Sequence, residues 1–214
     1  MILINSSPKN ALKIFQPFLP IFVPIGIGCI VSAFRREGID IDFIDEQIED
    51  DLPALIAEKV EKLEQPYIFG FSVLTAGLKN ALELSAELKR EYPGCVVVFG
   101  GIHPTAVPDE VMAHPQVDIV LRGEGERIML ELYRRIKAGE PLDGVPNITR
   151  RVDGEVVHHP FEFQLVPLDE LPPFPYDLFA QKDYDLGFIL SSRGCPYNCI
   201  FCSTTKIWQR WRPR

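Results

Sequence analysis

Short apolar segments alternate with amphipathic segments over roughly the first 140 residues of the chain. The apolar segments are brief and rich in Val, Ile and Phe, which is typical of parallel strands buried on both faces. Five strands are predicted, at Ile2–Ile4, Ile41–Ile44, Tyr67–Phe71, Val96–Phe99 and Ile119–Leu121. Between them, apolar residues recur at helical spacing, for example at Met129, Leu132, Tyr133 and Ile136. The alternation predicts an α/β fold with a doubly wound, flavodoxin-like five-stranded parallel sheet.

The bulk properties of the chain argue against two classes of protein. Its 214 residues carry a net charge of −8, whereas a nucleic-acid binder would show a basic face. The apolar stretch from Phe15 to Phe34 is interrupted by Pro17, Pro20 and Pro24, which are poorly tolerated inside a membrane-spanning helix. We therefore expect a buried loop leading into a helix, in a cytoplasmic protein that neither binds nucleic acid nor spans a membrane.

Small and polar residues follow the last three predicted strands. In doubly wound folds, ligands bind beyond the carboxyl ends of the strands, so these loops are candidate contacts to a cofactor. The candidates are Ser72, Thr75, Gly100, Gly101, Thr105, Gly123, Glu124 and Gly125. Each loop also has a purely structural interpretation, because paired glycines make tight turns and glutamates favour the start of a helix.

Three cysteines lie close together near the end of the chain, in the run GCPYNCIFC. The thiolates of Cys195, Cys199 and Cys202 can converge on one metal centre, and three ligands would leave one iron of a four-iron cluster open. A zinc site is the alternative, but the nearest histidines, His158 and His159, lie far upstream. A disulfide interpretation fails because the chain has five cysteines and no convincing signal peptide. The pattern favours the iron–sulfur cluster.

With Phe201 directly before the last cysteine, this run resembles the cluster loop of the radical S-adenosylmethionine enzymes. Together with the loops upstream, it resembles the branch of that family that carries a cobalamin-binding domain, which includes methyltransferases and the anaerobic magnesium-protoporphyrin monomethyl ester cyclase. The resemblance implies a [4Fe-4S] cluster on the three thiolates, with S-adenosylmethionine bound at the open iron and cleaved to a 5′-deoxyadenosyl radical. It also implies an electron donor such as ferredoxin or flavodoxin, and an unidentified small-molecule substrate that is methylated or cyclised.

The same resemblance assigns cobalamin to the rim residues, with Ser72, Thr75 and the Gly100–Gly101 pair at positions where relatives hold the nucleotide tail. This chain departs from the broader cobalamin-binding fold, because no Asp-x-His-x-x-Gly segment follows the first strand. The departure implies cobalamin without a histidine on cobalt, or a domain that has lost cobalamin. His103 follows the fourth strand instead, and we expect it to be a loop residue rather than a ligand.

Beyond residue 140 the character of the sequence changes. Segments 147–150 and 155–157 predict a small hairpin, and a proline-rich linker follows from Pro160 to Tyr176. A strand at Leu186–Leu190 then leads into the cysteines, as the first strand of a radical S-adenosylmethionine (β/α) barrel would. The expected domains are residues 1–140, 141–183 and 184–214.

Too few residues follow the linker for a barrel, so the chain is expected to be the truncated front end of a larger enzyme, inactive by itself. Two alternatives stay open. The chain can be a non-catalytic module that binds cobalamin or a nucleotide, or part of a radical enzyme whose first domain has lost its corrinoid.

Overall fold

A computed structural model describes residues 1–8, 21–162, 167–180, 184–208 and 211–214. The strands of the main sheet are β1 (Ile2–Asn5), β2 (Asp42–Asp45), β3 (Ile68–Ser72), β4 (Val96–Gly100), β5 (Ile119–Leu121), β6 (Ile148–Val152) and β7 (Glu155–His158). The helices are α1 (Ile25–Arg36), α2 (Leu52–Val60), α3 (Leu78–Glu91), α4 (Ile102–Ala106), α5 (Pro108–Met112), α6 (Glu126–Ala138) and α7 (Thr204–Trp208). Two further short strands, β8 (Ser192–Arg193) and β9 (Arg212–Pro213), form a separate pair. All five predicted strands of the first 140 residues are present, each within one residue of its expected bounds at either end.

The main sheet has seven strands in the order β2-β1-β3-β4-β5-β6-β7. Strands β1 to β5 are parallel, whereas the hairpin β6–β7 continues the sheet in antiparallel fashion. The order 2-1-3-4-5 is that of a flavodoxin-like doubly wound fold, so this prediction is confirmed. The order reverses between β1 and β3, and ligands of such folds bind outside the carboxyl ends of the strands at that point.

Helices cover both faces of the sheet because the parallel strands are apolar on both sides. On one face, Ile4, Phe71 and Phe99 pack with buried residues of α2, α3 and α5. On the other face, Leu3 and Val98 pack with buried residues of α1 and α6. Successive side chains of a strand alternate between faces, so a continuous apolar strand can fill both cores. Packed cores therefore support the sheet on both faces.

The proline-rich linker packs against α1. Phe174 and Phe179 stack with ring centroids 5.3 Å apart and join Val23 in a third apolar cluster. A Cβ atom on Gly28 of α1 would lie 2.3 Å from the ring of Phe174, so only glycine allows this approach. The hydroxyl of Ser32 donates a hydrogen bond to the carbonyl of Pro173 at 2.6 Å. The linker is therefore docked on the domain over these residues.

The predicted strand at Leu186–Leu190 is wrong. Alternate side chains of this segment are half-buried against the third apolar cluster, as the alternation in sequence suggested. Within the described ranges, however, the only backbone pairing near this segment is an isolated β-bridge between Phe22 and Asp185. Burial of every second side chain therefore occurs here without a strand partner for the backbone.

The apolar stretch that begins at Phe15 is described only from residue 21 onward, where it leads into α1 as expected. The expected burial holds for Val23 but not for Phe22, which has 63% of its surface exposed. The remainder of that stretch lies outside the described residues. Across the described ranges, every helix is too short or too polar to traverse a lipid bilayer.

Candidate functional site at the carboxyl edge of the sheet

The loops after β1 and β3 meet at the point where the strand order reverses. The backbone N–H of Ser6 donates to the carbonyl of Ser72 at 3.1 Å, and the hydroxyl of Ser6 donates to the carbonyl of Gly77 at 3.0 Å. A Cβ atom on Gly77 would stand 2.7 Å from the carbonyl oxygen of Ser6, so glycine permits this contact. The sequence identified Ser72 as a rim residue, and the structure places it at the end of β3.

The loops after β3 and β4 are held together by backbone contacts. The backbone N–H of Val73 donates to the carbonyl of Gly100 at 2.8 Å, and the backbone N–H of His103 donates to the carbonyl of Val73 at 3.3 Å. Gly101 has a φ of +101°, and a Cβ atom there would lie 2.9 Å from both the nitrogen and the oxygen of Val73. Gly101 is therefore required by backbone conformation and by space, which is the structural interpretation that the sequence left open for it.

His103 lies on α4 and is buried, with 8% of its surface exposed. Its Nδ1 is 3.1 Å from the hydroxyl of Thr75, whereas its buried Nε2 has no hydrogen-bond partner among the described residues. The prediction that His103 lies in a loop is therefore wrong, because the residue lies on a short helix. The carboxylate of Glu110 lies 4.0 Å from Nε2, too far for a hydrogen bond, so a bound polar group nearby would satisfy this nitrogen.

Thr105 joins the loops after β4 and β5. Its hydroxyl donates to the carbonyl of Gly101 at 2.7 Å and accepts from the backbone N–H of Gly123 at 3.0 Å. The hydroxyl is therefore already used within the protein. In this structure Thr105 and Gly123 shape the edge, and their predicted contacts to cobalamin stay predictions.

Three large apolar side chains in the segments that follow β3 and β4 are exposed to solvent. Leu74, Ile102 and Val107 have 57%, 45% and 36% of their surface exposed. A corrin ring has a broad face that such side chains can cover. Exposed apolar groups, close-packed glycines and a buried imidazole nitrogen without a hydrogen bond together fit a large cofactor that is part apolar and part polar.

Polar residues that the sequence did not single out support the first loop. The carboxylate of Glu46 accepts from the backbone N–H of Ser7 at 2.7 Å and from the amide of Asn80 at 2.8 Å. Beside it, the fully buried Asp45 accepts from the hydroxyl of Tyr184 at 2.7 Å. Burial and the Asp45 carboxylate raise the pKa of Tyr184, so that hydroxyl stays a donor. The available sequence signal was the acidic pair at the end of β2, where Asp45 is the last strand residue and Glu46 follows it.

The two glutamates after β5 bind arginines from the end of the chain. Glu126 is 2.5 Å from Arg193, and Glu124 pairs with both Arg193 and Arg212. The sequence placed Glu124 among the cobalamin contacts and did not anticipate either arginine. These pairs tie the segment that carries the cysteines to the loop after β5.

The three cysteines lie on one largely exposed loop. Cys195 and Cys202 are half-buried and Cys199 is exposed, and the backbone N–H of Cys202 donates to the carbonyl of Cys199 at 3.1 Å. Hydrogen bonds from the hydroxyl and backbone N–H of Thr204 lower the pKa of Cys202, which favours the thiolate that iron requires. Three thiols on one loop fit the donor set of a cluster with an open iron. In the described part of the chain, no three His, Cys, Asp or Glu side chains are grouped as metal ligands, so the cluster stays a prediction.

The cysteine loop and the predicted cobalamin residues lie at the same edge. Helix α7, which directly follows the cysteines, packs against α4, which carries Thr105. Glu124 adjoins Gly123 and Gly125 on the loop after β5 and binds the strands on either side of the cysteines. The geometry therefore defines a doubly wound domain whose ligand-binding edge is shared with a cysteine loop.

Comparisons with known proteins identify the class. The B12 binding domain family matches residues 15–133. The chain is 33% identical to an uncharacterized methyltransferase of Pyrococcus horikoshii, over 88% of this chain and 42% of that protein. It is 30% identical to the anaerobic magnesium-protoporphyrin IX monomethyl ester cyclase of Rubrivivax gelatinosus, over 89% of this chain and 36% of that protein. The chain thus spans less than half the length of these relatives.

The fold is also similar to that of a solved enzyme. The cobalamin-dependent S-adenosylmethionine radical enzyme OxsB, with aqua-cobalamin and S-adenosylmethionine bound, superposes with a TM-score of 0.78 at 25% identity, covering 99% of this chain and 29% of that one. The chain belongs to the B12-binding domain family, and its relatives are methyltransferases and cyclases of the radical S-adenosylmethionine family. The resemblance stated from the sequence is confirmed at this level.

Proposed function

We propose that this chain supplies both the cobalamin-binding domain and the cluster loop of a cytoplasmic, cobalamin-dependent radical S-adenosylmethionine enzyme. The observation that carries the proposal is the position of the cysteine loop. Its flanking strands bind Glu124 on the loop after β5, at the edge of the sheet where doubly wound folds hold their ligands. One domain therefore presents two candidate cofactor sites side by side.

For cobalamin, the loops after β3 and β4 supply the contacts. Ser72 and Thr75 offer hydroxyls to the nucleotide tail, Gly100 lets that tail approach the backbone closely, and Gly101 lets the loops after β3 and β4 meet beside it. Leu74 and Ile102, both exposed, would cover apolar parts of the corrin. Gly123, Glu124 and Gly125 border the same edge, and Glu124 acts there through its ion pairs.

For the cluster, the thiolates of Cys195, Cys199 and Cys202 are the ligands. When bound, the cluster supplies the electron that cleaves S-adenosylmethionine, and cobalamin supplies a methyl group for transfer. The protein's own task is to fix the two cofactors at one edge and to limit the access of water. The exposed Tyr197 and Phe201 on the cysteine loop provide apolar surface for this purpose.

The reaction class follows from the relatives. Their names include both a methyltransferase and a cyclase, so we propose methylation or cyclisation of an unactivated carbon in a small molecule. Ferredoxin or flavodoxin would donate the electron. The chain spans less than half the length of those relatives, and the reaction class is proposed from their names.

The test is to purify the chain without oxygen, reconstitute it with iron and sulfide, add hydroxocobalamin and measure both cofactors after desalting. We expect about four irons per chain, as a four-iron cluster requires, and a retained corrinoid absorption band. Cys199→Ala should lose most of the iron and keep the corrinoid, whereas Cys95→Ala, a cysteine in the sheet core, should keep both.

The outcomes separate the rival functions. Corrinoid without iron would support a non-catalytic cobalamin-binding module. Iron without corrinoid would support a radical enzyme whose first domain has lost its cofactor. Zinc held by the three cysteines in place of iron would contradict the radical proposal altogether.

A further inference from the structure

The loop that carries the three cysteines begins and ends at one place. Strands β8 and β9 pair in antiparallel fashion, with Arg193 directly opposite Arg212. The backbone N–H of Arg214 also donates to the carbonyl of Ser191 at 2.8 Å. Cys195 lies two residues beyond β8. The base of the loop is therefore a short two-stranded ribbon, and its position sets the position of the thiols.

Two arginines face each other across this ribbon, an arrangement that like charges make unfavourable. The two glutamates after β5 offset that repulsion. The side chains of Glu124 and Glu126 are 14% and 7% exposed, and those of Arg193 and Arg212 are 18% and 13% exposed. Glu124 binds both arginines, so a single carboxylate joins the two strands of the ribbon to the domain.

The electrostatics of the pairs agree with this geometry. Burial by itself lowers the pKa of Arg193, but the carboxylates of Glu126 and Glu124 raise it overall, so the guanidinium stays charged. Removing one partner of a buried ion pair is costly because the other charge is left without compensation. The ribbon is therefore held by charges that solvent replaces poorly.

The loop that presents the glutamates is itself fixed. Gly123 has a φ of +82°, and a Cβ atom on Gly125 would lie 3.0 Å from the side chain of Ile30 on α1. Glu126 is the first residue of α6, where the helix dipole favours a carboxylate. Both glutamates thus project from a tight turn between a core strand and a long helix.

We infer that Glu124 and Glu126 are positioning residues for the cysteine loop. They fasten its base to the carboxyl edge of the sheet and so set the location of a cluster relative to cobalamin. The inference deepens the proposed function and rests on it for what the loop binds. It gives Glu124 a task different from the direct cobalamin contact expected from the sequence.

The first test uses the metal-free chain and does not depend on any cofactor. Glu124→Gln keeps the shape of the side chain and removes its charge. We expect the amide of Arg214, which pairs across the ribbon, to exchange its hydrogen at least about tenfold faster than in the wild type. Exchange at Val97 in β4 should stay unchanged. Glu131→Gln, which breaks a surface pair with Arg135 on α6, is the matched control and should leave both amides unchanged. Equal exchange at Arg214 in the wild type and in Glu124→Gln would overturn the inference.

The second test measures iron release from the reconstituted protein to a chelator. Glu124→Gln should release iron about tenfold faster than the wild type and retain cobalamin equally well. Arg193→Gln should behave like Glu124→Gln, whereas Arg193→Lys keeps the charge and should recover part of the difference. If these residues only stabilise the fold, the rate of iron release should change from variant to variant in step with the melting temperature. Arg193→Lys should then slow iron release only as far as it restores the melting temperature, and that result counts against the inference.

The two proposals can fail separately. If the wild type binds no iron, the cluster proposal fails, and hydrogen exchange still decides whether the glutamates fasten the ribbon. If the wild type binds iron and Glu124→Gln releases it at the same rate, only the inference fails. Should Glu124→Gln not fold, as loss of a cooperative unfolding transition would show, Arg193→Gln takes its place in both measurements. Faster exchange and faster iron release in Arg193→Gln would then support the inference, and wild-type rates would overturn it.

Discussion

At the scale of single residues, the carboxyl edge of the sheet depends on glycine, which has no Cβ atom, as much as on residues with side chains. Gly101 adopts a left-handed backbone conformation and lies against the backbone of Val73, so the loops after β3 and β4 can touch. That contact brings Thr75 to the imidazole of His103. The predicted cobalamin contacts of these loops therefore rely on a glycine that need not touch the cofactor.

Gly101→Ala should destabilise the protein. The new methyl group meets backbone atoms at 2.9 Å, and alanine is strained at a φ of +101°. We expect a loss of about 2 kcal/mol or more in the free energy of unfolding, measured with urea, and weaker cobalamin binding. Gly94→Ala is the matched control, since it also has a positive φ but no atom within 4 Å, and its loss should be smaller. Equal losses would mean that the close contact with Val73 contributes nothing.

Single residues could be placed from the sequence where one rule was enough, namely that residues directly after a core strand lie at the edge of the sheet. Ser72 and the Gly100–Gly101 pair could be placed at the edge because they directly follow core strands. The partners of Glu124 and Glu126 could not be predicted, since 67 residues separate Glu126 from Arg193 and 88 separate Glu124 from Arg212. Charge alone does not select a partner among the 22 Lys and Arg residues of the chain.

At the scale of elements, the linker is bound to α1 rather than loosely tethered. Phe174 fills the space left by Gly28, and the hydroxyl of Ser32 on the same helix binds the linker backbone. From this docked linker the chain runs on to β8 and the cysteines. The linker and the glutamates thus constrain the cysteine loop at two separate places.

Gly28→Ala tests the docking of the linker. A Cβ atom there would overlap the ring of Phe174 at 2.3 Å, and the ring would have to leave its stack with Phe179. We expect faster limited proteolysis of the linker and a loss of about 1–3 kcal/mol in stability, the range for overpacked sites. Gly26→Ala, on the same helix with no atom within 4 Å, should show neither effect. Identical cleavage of both variants would show that Phe174 is not held by α1.

The elements themselves were predictable where periodicity was long enough. The five parallel strands and the helices α2, α3 and α6 follow their apolar patterns. Helices α4 and α5 were missed because each has only five residues and contains a proline, which leaves no helical period to detect. The segment Leu186–Leu190 was predicted as a strand that the structure lacks. The alternating pattern indicated correctly which side chains are half-buried, but it could not indicate whether a neighbouring strand is present.

At the scale of the whole molecule, the strand order 2-1-3-4-5 decides where function can reside. It gathers the loops after β1, β3, β4 and β5 at one edge, and the ion pairs of Glu124 bring the cysteine loop to that edge. The sequence predicted both sites separately. Their common location is seen only in the folded chain, because ion pairs between residues far apart in sequence bring the two sites to one edge.

The central claim is that cobalamin and the iron–sulfur cluster bind side by side on this domain. Electron paramagnetic resonance of the reconstituted chain, with cobalamin as Co(II) and the cluster reduced, tests it most directly, since both centres are then paramagnetic. Two neighbouring centres should broaden and split each other's signals, and Cys199→Ala should leave the cobalt signal alone and unsplit. With both cofactors bound at full occupancy, a spectrum that is the plain sum of two isolated signals would contradict the claim.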